Sequence, residues 1–235
     1  MKPKKMLKIT LVTLLVLGVL GLFVRPYRVS DISMNYALMD GDLVWMENLS
    51  AGFHVPSFWG LYIDRHLWSG EKGIHRGEIL AFRHPLDRRL YLKRVVALPG
   101  DRIFEKNKNF YLQLGADSNR TRAFAEKHHL PLVQNALGYW LVNPYMHYYP
   151  VVHDPTVVGP RELLDYPVTT IPPHRYFFMG DFRDNSTDSR FFGPVPYRYI
   201  YSKLFFVWQK GRSLHELASI SHFDDRHPLV IRKKY

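Results

Sequence analysis

Between Ile9 and Val24 the chain reads ITLVTLLVLGVLGLFV, without a charged side chain. An uncharged run of that length is poorly suited to one more strand or helix of a small core, so it dictates the organisation of everything after it. Counted from Met6, with Lys8 snorkelling, it amounts to about 19 residues or about 28 Å of helix, enough for the hydrocarbon layer of a bilayer. Lys2, Lys4, Lys5 and Lys8 precede it, and Arg25 and Arg28 follow it. This asymmetry predicts a single transmembrane anchor over 9–24, with residues 1–8 cytoplasmic and the remainder outside. A cleavable signal peptide shares the charged start and apolar middle but wants a small-x-small cleavage site. The run ends instead in LFVRPYR, so an uncleaved anchor is expected.

Beyond the anchor the pattern is mostly β. GDLVWME (41–47), EILAFR (78–83), LYLKRVVAL (90–98), FYLQL (110–114), RYFFMG (175–180) and YIYSKLFFVW (199–208) are short β-prone runs separated by Gly, Pro, Asp and Asn. They predict an antiparallel sandwich or barrel-like domain. DSNRTRAFAEKHHL predicts a short helix, the Pro-, Tyr- and His-rich stretch 144–173 an irregular loop, and 211–235 a weakly ordered tail. A hydrophobic fraction of 46% excludes a disordered chain. The net charge of +11 admits nucleic acid or an anionic membrane surface as neighbour. With no zinc-finger spacing, RNA-binding aromatic signature or P-loop, and with scattered positive charges, no nucleic-acid partner is expected and membrane lipids are. The absence of cysteine removes disulfides and thiolate nucleophiles.

LYLKRVVALPGD (90–101) places two cations inside an apolar strand. Alternation puts Lys93 with Tyr91 and Val95, and Arg94 with Leu92 and Val96, one cation on each face. An edge strand or a snorkelling side chain is the commoner reason for such a lysine. The alternative is a desolvated lysine whose lowered pKa makes it a neutral general base, and that chemistry needs a nucleophile. Ser33, in SDISMNYALMDGD, precedes a strand closely, and MGDFRDNSTDSRFFGPVP (179–196) is dense enough in Asp, Arg, Asn and Ser to form a hydrogen-bonded network. As ordinary features these are a loop serine and a solvated turn held by Asx bonds. The histidines predict no metal site: HELAS (215–219) lacks the second His of a zinc-protease helix, and His128 and His129 do not share a helical face. DFRDNSTDS fails the calcium-loop pattern in both registers.

Taken together, these segments resemble bacterial type I signal peptidase. SDISM…LMDGD is similar to the family's serine box, HRGEILAFRHP to its Arg-Gly-Asp box, YLKRVVALPGD to its lysine box and MGDFRDNSTDSRFFGPVP to its last box. AGFHVP (51–56) resembles the segment that follows the serine strand. The resemblance implies a β catalytic domain over 25–104 and 175–210, interrupted by a variable, irregular β insertion over 105–174. It implies Ser33 as nucleophile, Lys93 as general base and Ser186 as a hydroxyl bonded to the lysine amine. Arg94 would pair with Asp181, and Asp188 with Arg190, pinning the Ser186 segment beside the lysine strand. Gly180 would allow close backbone approach. The backbone N–H of Ser33 would donate to the oxyanion.

The serine box departs from the family's usual Pro-Ser-Gly-Ser-Met-x-Pro-Thr. Asp31 replaces the serine whose hydroxyl assists the oxyanion, Ile32 the flexible glycine, and Tyr36 the proline. An ionised Asp31 has no proton to donate, so a turn aiming it at solvent, Arg25 or Arg28 is expected. The implied activity is a serine endopeptidase that removes signal peptides from exported precursors after small residues at −1 and −3, as a cofactor-free monomer. Its place would be the bacterial inner membrane, single-pass, with the catalytic domain periplasmic. A dedicated maturation protease of a transfer or secretion system, or an inactive membrane-anchored binding module, are the alternatives.

Overall fold

The computed structural model describes residues 3–53, 66–148, 151–154, 156 and 158–208. The expected tail at 211–235, and residues 54–56 of AGFHVP, lie outside them. A helix α1 (Pro3–Phe23) leads into strands β1 (Val24–Arg28), β2 (Leu43–Glu47), β3 (Ile79–Arg83), β4 (Leu90–Ala97), β5 (Arg102–Lys106) and β6 (Asn109–Gln113). Helix α2 (Ser118–His128), β7 (Leu132–Asn135), β8 (Gly138–Val142), the short α3 (Pro144–Tyr148) and β9 (Tyr166–Thr170) follow. The chain closes with β10 (Arg175–Met179), α4 (Ser189–Phe192), β11 (Val195–Pro196) and β12 (Ile200–Trp208). Among the described residues no helix is long and apolar enough to cross a membrane, and four side chains of α1 between 17 and 22 are not among those described. Apolar side chains of α1 stand well exposed on successive faces, Leu11, Val12, Leu14 and Leu15 at 57–68%.

All ladders are antiparallel. Seven strands form one sheet in the order β1-β2-β12-β3-β4-β10-β11, and five form a second in the order β7-β8-β6-β5-β9. Residues 144–173, expected to be irregular, contain α3 and β9, and β9 completes the edge of the second sheet. The sequence YPVTT supplies the β-branched residues that a pleated surface favours. β1 is an edge strand, where Pro26 costs no ladder hydrogen bond.

The two sheets share a core. Val96 and Ala97 of β4 and Phe177 and Met179 of β10 pack with Ile103, Phe110, Leu112 and Leu141 of the second sheet. A separate cluster of Val29, Met34, Leu38, Val44, Met46 and Ala81 lies under the turn that carries Ser33. β5 and β6 join through Asn107-Lys108, both with positive φ, as the two-residue turn of a right-twisted hairpin requires. The strained Lys108 is fixed by its ammonium, which donates to the Asp184 carboxylate and to the carbonyl of Asp154, each at 2.7 Å.

Two buried ionic contacts decide how the segment 181–190 after β10 sits. Arg94 grips Asp181 with Nε–Oδ1 at 2.7 Å and Nη2–Oδ2 at 2.5 Å, and its third nitrogen donates to the carbonyl of Gly77. Both side chains are fully buried. Glu105 of β5 faces Arg190 at 3.6 Å, and its other carboxylate oxygen has no hydrogen-bond partner. Burial pushes the Glu105 carboxyl up to about 7, against the pull of Arg190 and Arg183.

Truncating Arg94 strands a buried carboxylate, which costs about 3–5 kcal/mol. We expect Arg94→Ala to lower the melting temperature sharply, read by calorimetry; an unchanged melt would refute the structural role of the pair. Glu105 gives a pH-dependent signature. Its folded value of about 7 lies above its ordinary value of 4.5, so the folded state holds the extra proton in that window. Stability should therefore fall as pH rises from about 4.5 to about 7, by at most ~3 kcal/mol from this group. Thermal melts of Glu105→Gln should lose that component of the slope. Parallel stability curves for variant and wild type would show that Glu105 is not buried as described.

Candidate active site

Ser33 sits on the turn between β1 and β2. Met34 and Leu38, at 2% and 0% exposure, anchor this turn in the core beneath it, and the carbonyl of Met34 accepts from the N–H groups of Ala37 and Leu38. Tyr36 adopts a left-handed φ of 78°, an unusual conformation for a bulky residue, and its ring meets Phe182 edge-on at 6.2 Å. The carbonyl of Ser33 accepts from the N–H of Phe182 at 3.1 Å. The turn is thus held from below by apolar packing and from the side by the segment after β10.

That second segment is itself tied down. Asp188 caps α4, accepts from the N–H of Gly180 at 3.0 Å, and takes a bidentate grip from Arg190 with both bonds at 2.9 Å. Burial works against the Asp188 carboxylate, but Arg190 and these hydrogen bonds hold it below its ordinary range. A Cβ on Gly180 would run into the Ser186 side chain and come within 2.5 Å of the Ser33 carbonyl, so only glycine lets this backbone pass between them. The same loop bears Asp181, which closes the buried pair with Arg94.

Lys93 reaches from β4 into this enclosure. Its amine lies 2.5 Å from Ser33 Oγ and 5.3 Å from the centre of the Tyr91 ring. Lys93 and Ser33 are each 3% exposed. Burial drives the Lys93 pKa down, opposed by the carboxylates of Asp31, Asp188 and Asp181. The serine and lysine, 60 residues apart in sequence, are therefore brought into direct contact. Such a pair can pass the hydroxyl proton to the amine as the oxygen attacks a carbonyl.

Two expectations need correction. Ser186 does not bond Lys93: its hydroxyl is buried with no hydrogen-bond partner, pressed against Gly180 and close enough to Asp188 to help hold that carboxylate ionised. Asp31 is largely exposed to solvent, as expected, but it turns toward Ser33 and Lys93 instead of Arg25 or Arg28. Its Oδ2 accepts from Ser33 Oγ at 2.7 Å and stands 3.7 Å from Lys93 Nζ, while Oδ1 faces the Ser33 N–H at 3.4 Å. Partial burial disfavours its charge, but Ser33 and Lys93 outweigh this and keep Asp31 below the ordinary carboxylate range. The reason is local. The turn that follows Ile32, closed by Asn35 N–H to the Ile32 carbonyl at 2.8 Å, folds the carboxylate back onto the serine two residues on.

A cleft of about 460 Å³ opens at this contact. Val29, Met34, Val44, Met46 and Ala81 give it an apolar lining, and Ser33 and Lys93 lie on its wall. Sequence reasoning missed the buried Arg76–Asp101 pair, bidentate at 2.6 and 2.7 Å, which joins the loop before β3 to the turn after β4. The Pro-Gly-Asp turn beside the lysine strand was its only sequence signal. It also missed Lys108–Asp184 and Glu105–Arg190, whose members lie far apart in sequence.

The family model described as "Signal peptidase, peptidase S26" matches residues 4–209. Signal peptidase I of Pseudomonas aeruginosa is 30% identical over 213 residues, covering 84% of this chain and 69% of the relative. Signal peptidase I of Helicobacter pylori is 26% identical over 233 residues, covering 85% of this chain and 78% of the relative. A crystal structure of a signal peptidase I from Enterococcus faecalis is 24% identical and covers 56% of this chain and 97% of that one, at a TM-score of 0.32 that is too low to bear on the fold. A match running through both sheets, from the first helix to the end of β12, makes this chain a member of the signal peptidase S26 family, a hydrolase of the class that removes signal peptides.

Proposed function

We propose that hydrolysis runs through a Ser33–Lys93 dyad. The observation that carries this reading is the 2.5 Å contact between Lys93 Nζ and Ser33 Oγ inside a site from which both side chains are nearly excluded from water. A lysine at its ordinary pKa of about 10.4 is protonated at neutral pH and cannot accept a proton. Burial lowers it and makes the neutral amine accessible. Ser33 Oγ then forms a bond to the scissile carbonyl carbon, its proton passes to Lys93, and the carbonyl π electrons become the oxyanion. Lys93 returns the proton to the leaving amine, and water releases the acyl group in the mirror sequence. Asp181, Arg94, Asp188 and Arg190 hold the loop that supports Ser33, and Ser186 fills the space beside Gly180.

The catalytic unit is the seven-stranded sheet, with the second sheet inserted between β4 and β10. Substrates are exported precursors whose extended cleavage region lies in the cleft, and its apolar lining, which includes the small Ala81, suits small side chains at −1 and −3. α1 is the anchor: apolar side chains exposed on successive faces of one helix need lipid or a large core to cover them. β1 follows it directly, so Ser33 is held near the bilayer of a bacterial inner membrane, in a periplasmic domain acting as a monomer. The carboxylate at position 31 favours a narrower, dedicated substrate set over general processing.

Ser33→Ala and Lys93→Arg should each abolish cleavage of a precursor-derived peptide, by roughly three orders of magnitude or more, with melting temperature nearly unchanged for Ser33→Ala. Wild-type kcat/KM should rise through an acid limb below the ordinary lysine range. Near-normal turnover of Lys93→Arg would end the general-base assignment, and an active Ser33→Ala would end the nucleophile assignment. Removing residues 1–23 leaves β1 in place. The shortened protein should cut soluble peptides normally but process bilayer-embedded precursors at least about tenfold more slowly. Equal rates on both substrates would refute the anchor.

A further inference from the structure

The Asp31 carboxylate touches the groups that a reacting substrate carbonyl would meet, the Ser33 hydroxyl, the Ser33 N–H and the Lys93 amine. Its Oδ2 takes the hydroxyl proton of Ser33 at 2.7 Å and lies 3.7 Å from the Lys93 amine. Its Oδ1 faces the Ser33 N–H at 3.4 Å, the donor an oxyanion would use. No arginine holds it among the described residues. By contrast Asp181 is gripped by Arg94 and Asp188 by Arg190. We propose that Asp31 is an internal latch: its carboxylate occupies the oxyanion position and holds the Ser33 hydroxyl and the Lys93 amine in a resting arrangement, and a substrate must displace it before Ser33 can attack. This rests on the dyad reading above.

Proton placement gives the latch its chemistry. Ser33 has one hydroxyl proton. When Lys93 is an ammonium it can only donate, so Ser33 Oγ accepts from it and donates to Asp31. When Lys93 is neutral, the hydroxyl must turn toward Nζ to be activated. Its lone pairs would then face the Asp31 oxygen at 2.7 Å, which is repulsive. The latched carboxylate therefore favours the ammonium both by charge and by hydroxyl direction. Every other group facing Lys93 is accounted for: Asp181 and Asp188 on the loop after β10 are arginine-bound, and Tyr91 on β4 presents its ring. The Asp31 side chain is 65% exposed, so it can swing away without leaving a cavity. A peptide entering the cleft places a carbonyl where Oδ1 now lies.

The test is the pH profile of kcat/KM on a soluble precursor peptide for wild type, Asp31→Ala and Asp31→Asn, with melting temperatures to confirm folding. Both variants should move the acid limb down by about one pH unit and raise kcat/KM about tenfold below the wild-type limb. A limb that stays in place or moves up in Asp31→Ala overturns the latch. A second readout does not depend on turnover: the Lys93 side chain, followed by NMR in ¹³C-lysine-labelled Ser33→Ala protein and assigned with Lys93→Met. Its titration midpoint should fall when Asp31→Ala is added, and an unchanged midpoint overturns the latch as well. A midpoint at the ordinary lysine value in the Asp31-containing protein would count against the dyad reading instead, so the two failures are distinguishable.

Discussion

One strand has to bury two adjacent cations, and the rest of the molecule is arranged around how differently it treats them. Arg94 is permanently charged, so the only tolerable burial is full compensation, and the bidentate Asp181 and the Gly77 carbonyl supply it. Lys93 can instead lose its proton, and its surroundings withhold a buried salt bridge. Its nearest partner is a hydroxyl, and the one unshared carboxylate within reach is the exposed Asp31. The same β4 geometry that gives Arg94 a rigid anchor buries Lys93 beside a hydroxyl, and burial lowers its pKa. Because Asp181 belongs to the loop whose Phe182 N–H donates to the Ser33 carbonyl, satisfying Arg94 helps bring Ser33 to the lysine.

The inserted sheet is not a passive insertion in this scheme. Lys108 on the β5–β6 turn and Glu105 on β5 both reach the segment between Asp181 and Arg190. With the Arg190–Asp188 grip, they tie the loop to the inserted sheet, while Arg94 ties it to β4. Gly180 directly precedes this segment and Ser186 lies in it, and the Ser186 hydroxyl packs against Gly180 beside Asp188.

Much of this was legible in the residues. The β-branched and aromatic runs at 78–83, 90–98, 175–180 and 199–208 are β3, β4, β10 and β12, because short apolar runs bounded by turn residues leave a strong strand signal. β1 was hidden, since VRPYR carries a proline and two arginines that only an edge position tolerates. β9 was hidden in a Pro- and Tyr-rich stretch, and its pairing with β5 is a tertiary fact. At the site, alternation alone flagged Lys93 and Arg94 as a problem needing partners, and the resemblance supplied Asp181 for Arg94 and Ser33 for Lys93, contacts that both form. Finer directions were not legible. Ser186 sits where the last box puts it, yet its hydroxyl is turned by packing against Gly180 and Asp188. The direction of Asp31 depends on a turn geometry that no periodicity encodes.

The position of Asp31 also bears on selectivity. On the proposed dyad and anchor, a desolvated amine beside a serine would be a strong nucleophilic pair and would meet many extended apolar peptides. With a carboxylate seated in the oxyanion position, binding alone does not suffice. A peptide must also supply enough interaction energy to move the carboxylate into water and leave Lys93 unpaired. Energy used in that exchange does not tighten ground-state binding, and poor substrates cannot provide it. The cleft lined by Val29, Met34, Val44, Met46 and Ala81 is where that energy would come from. On the proposed latch, discrimination depends on how well a precursor fills the apolar cleft that opens beside Ser33 and Lys93, and the chemistry follows only after the fit has displaced the protein's own anion.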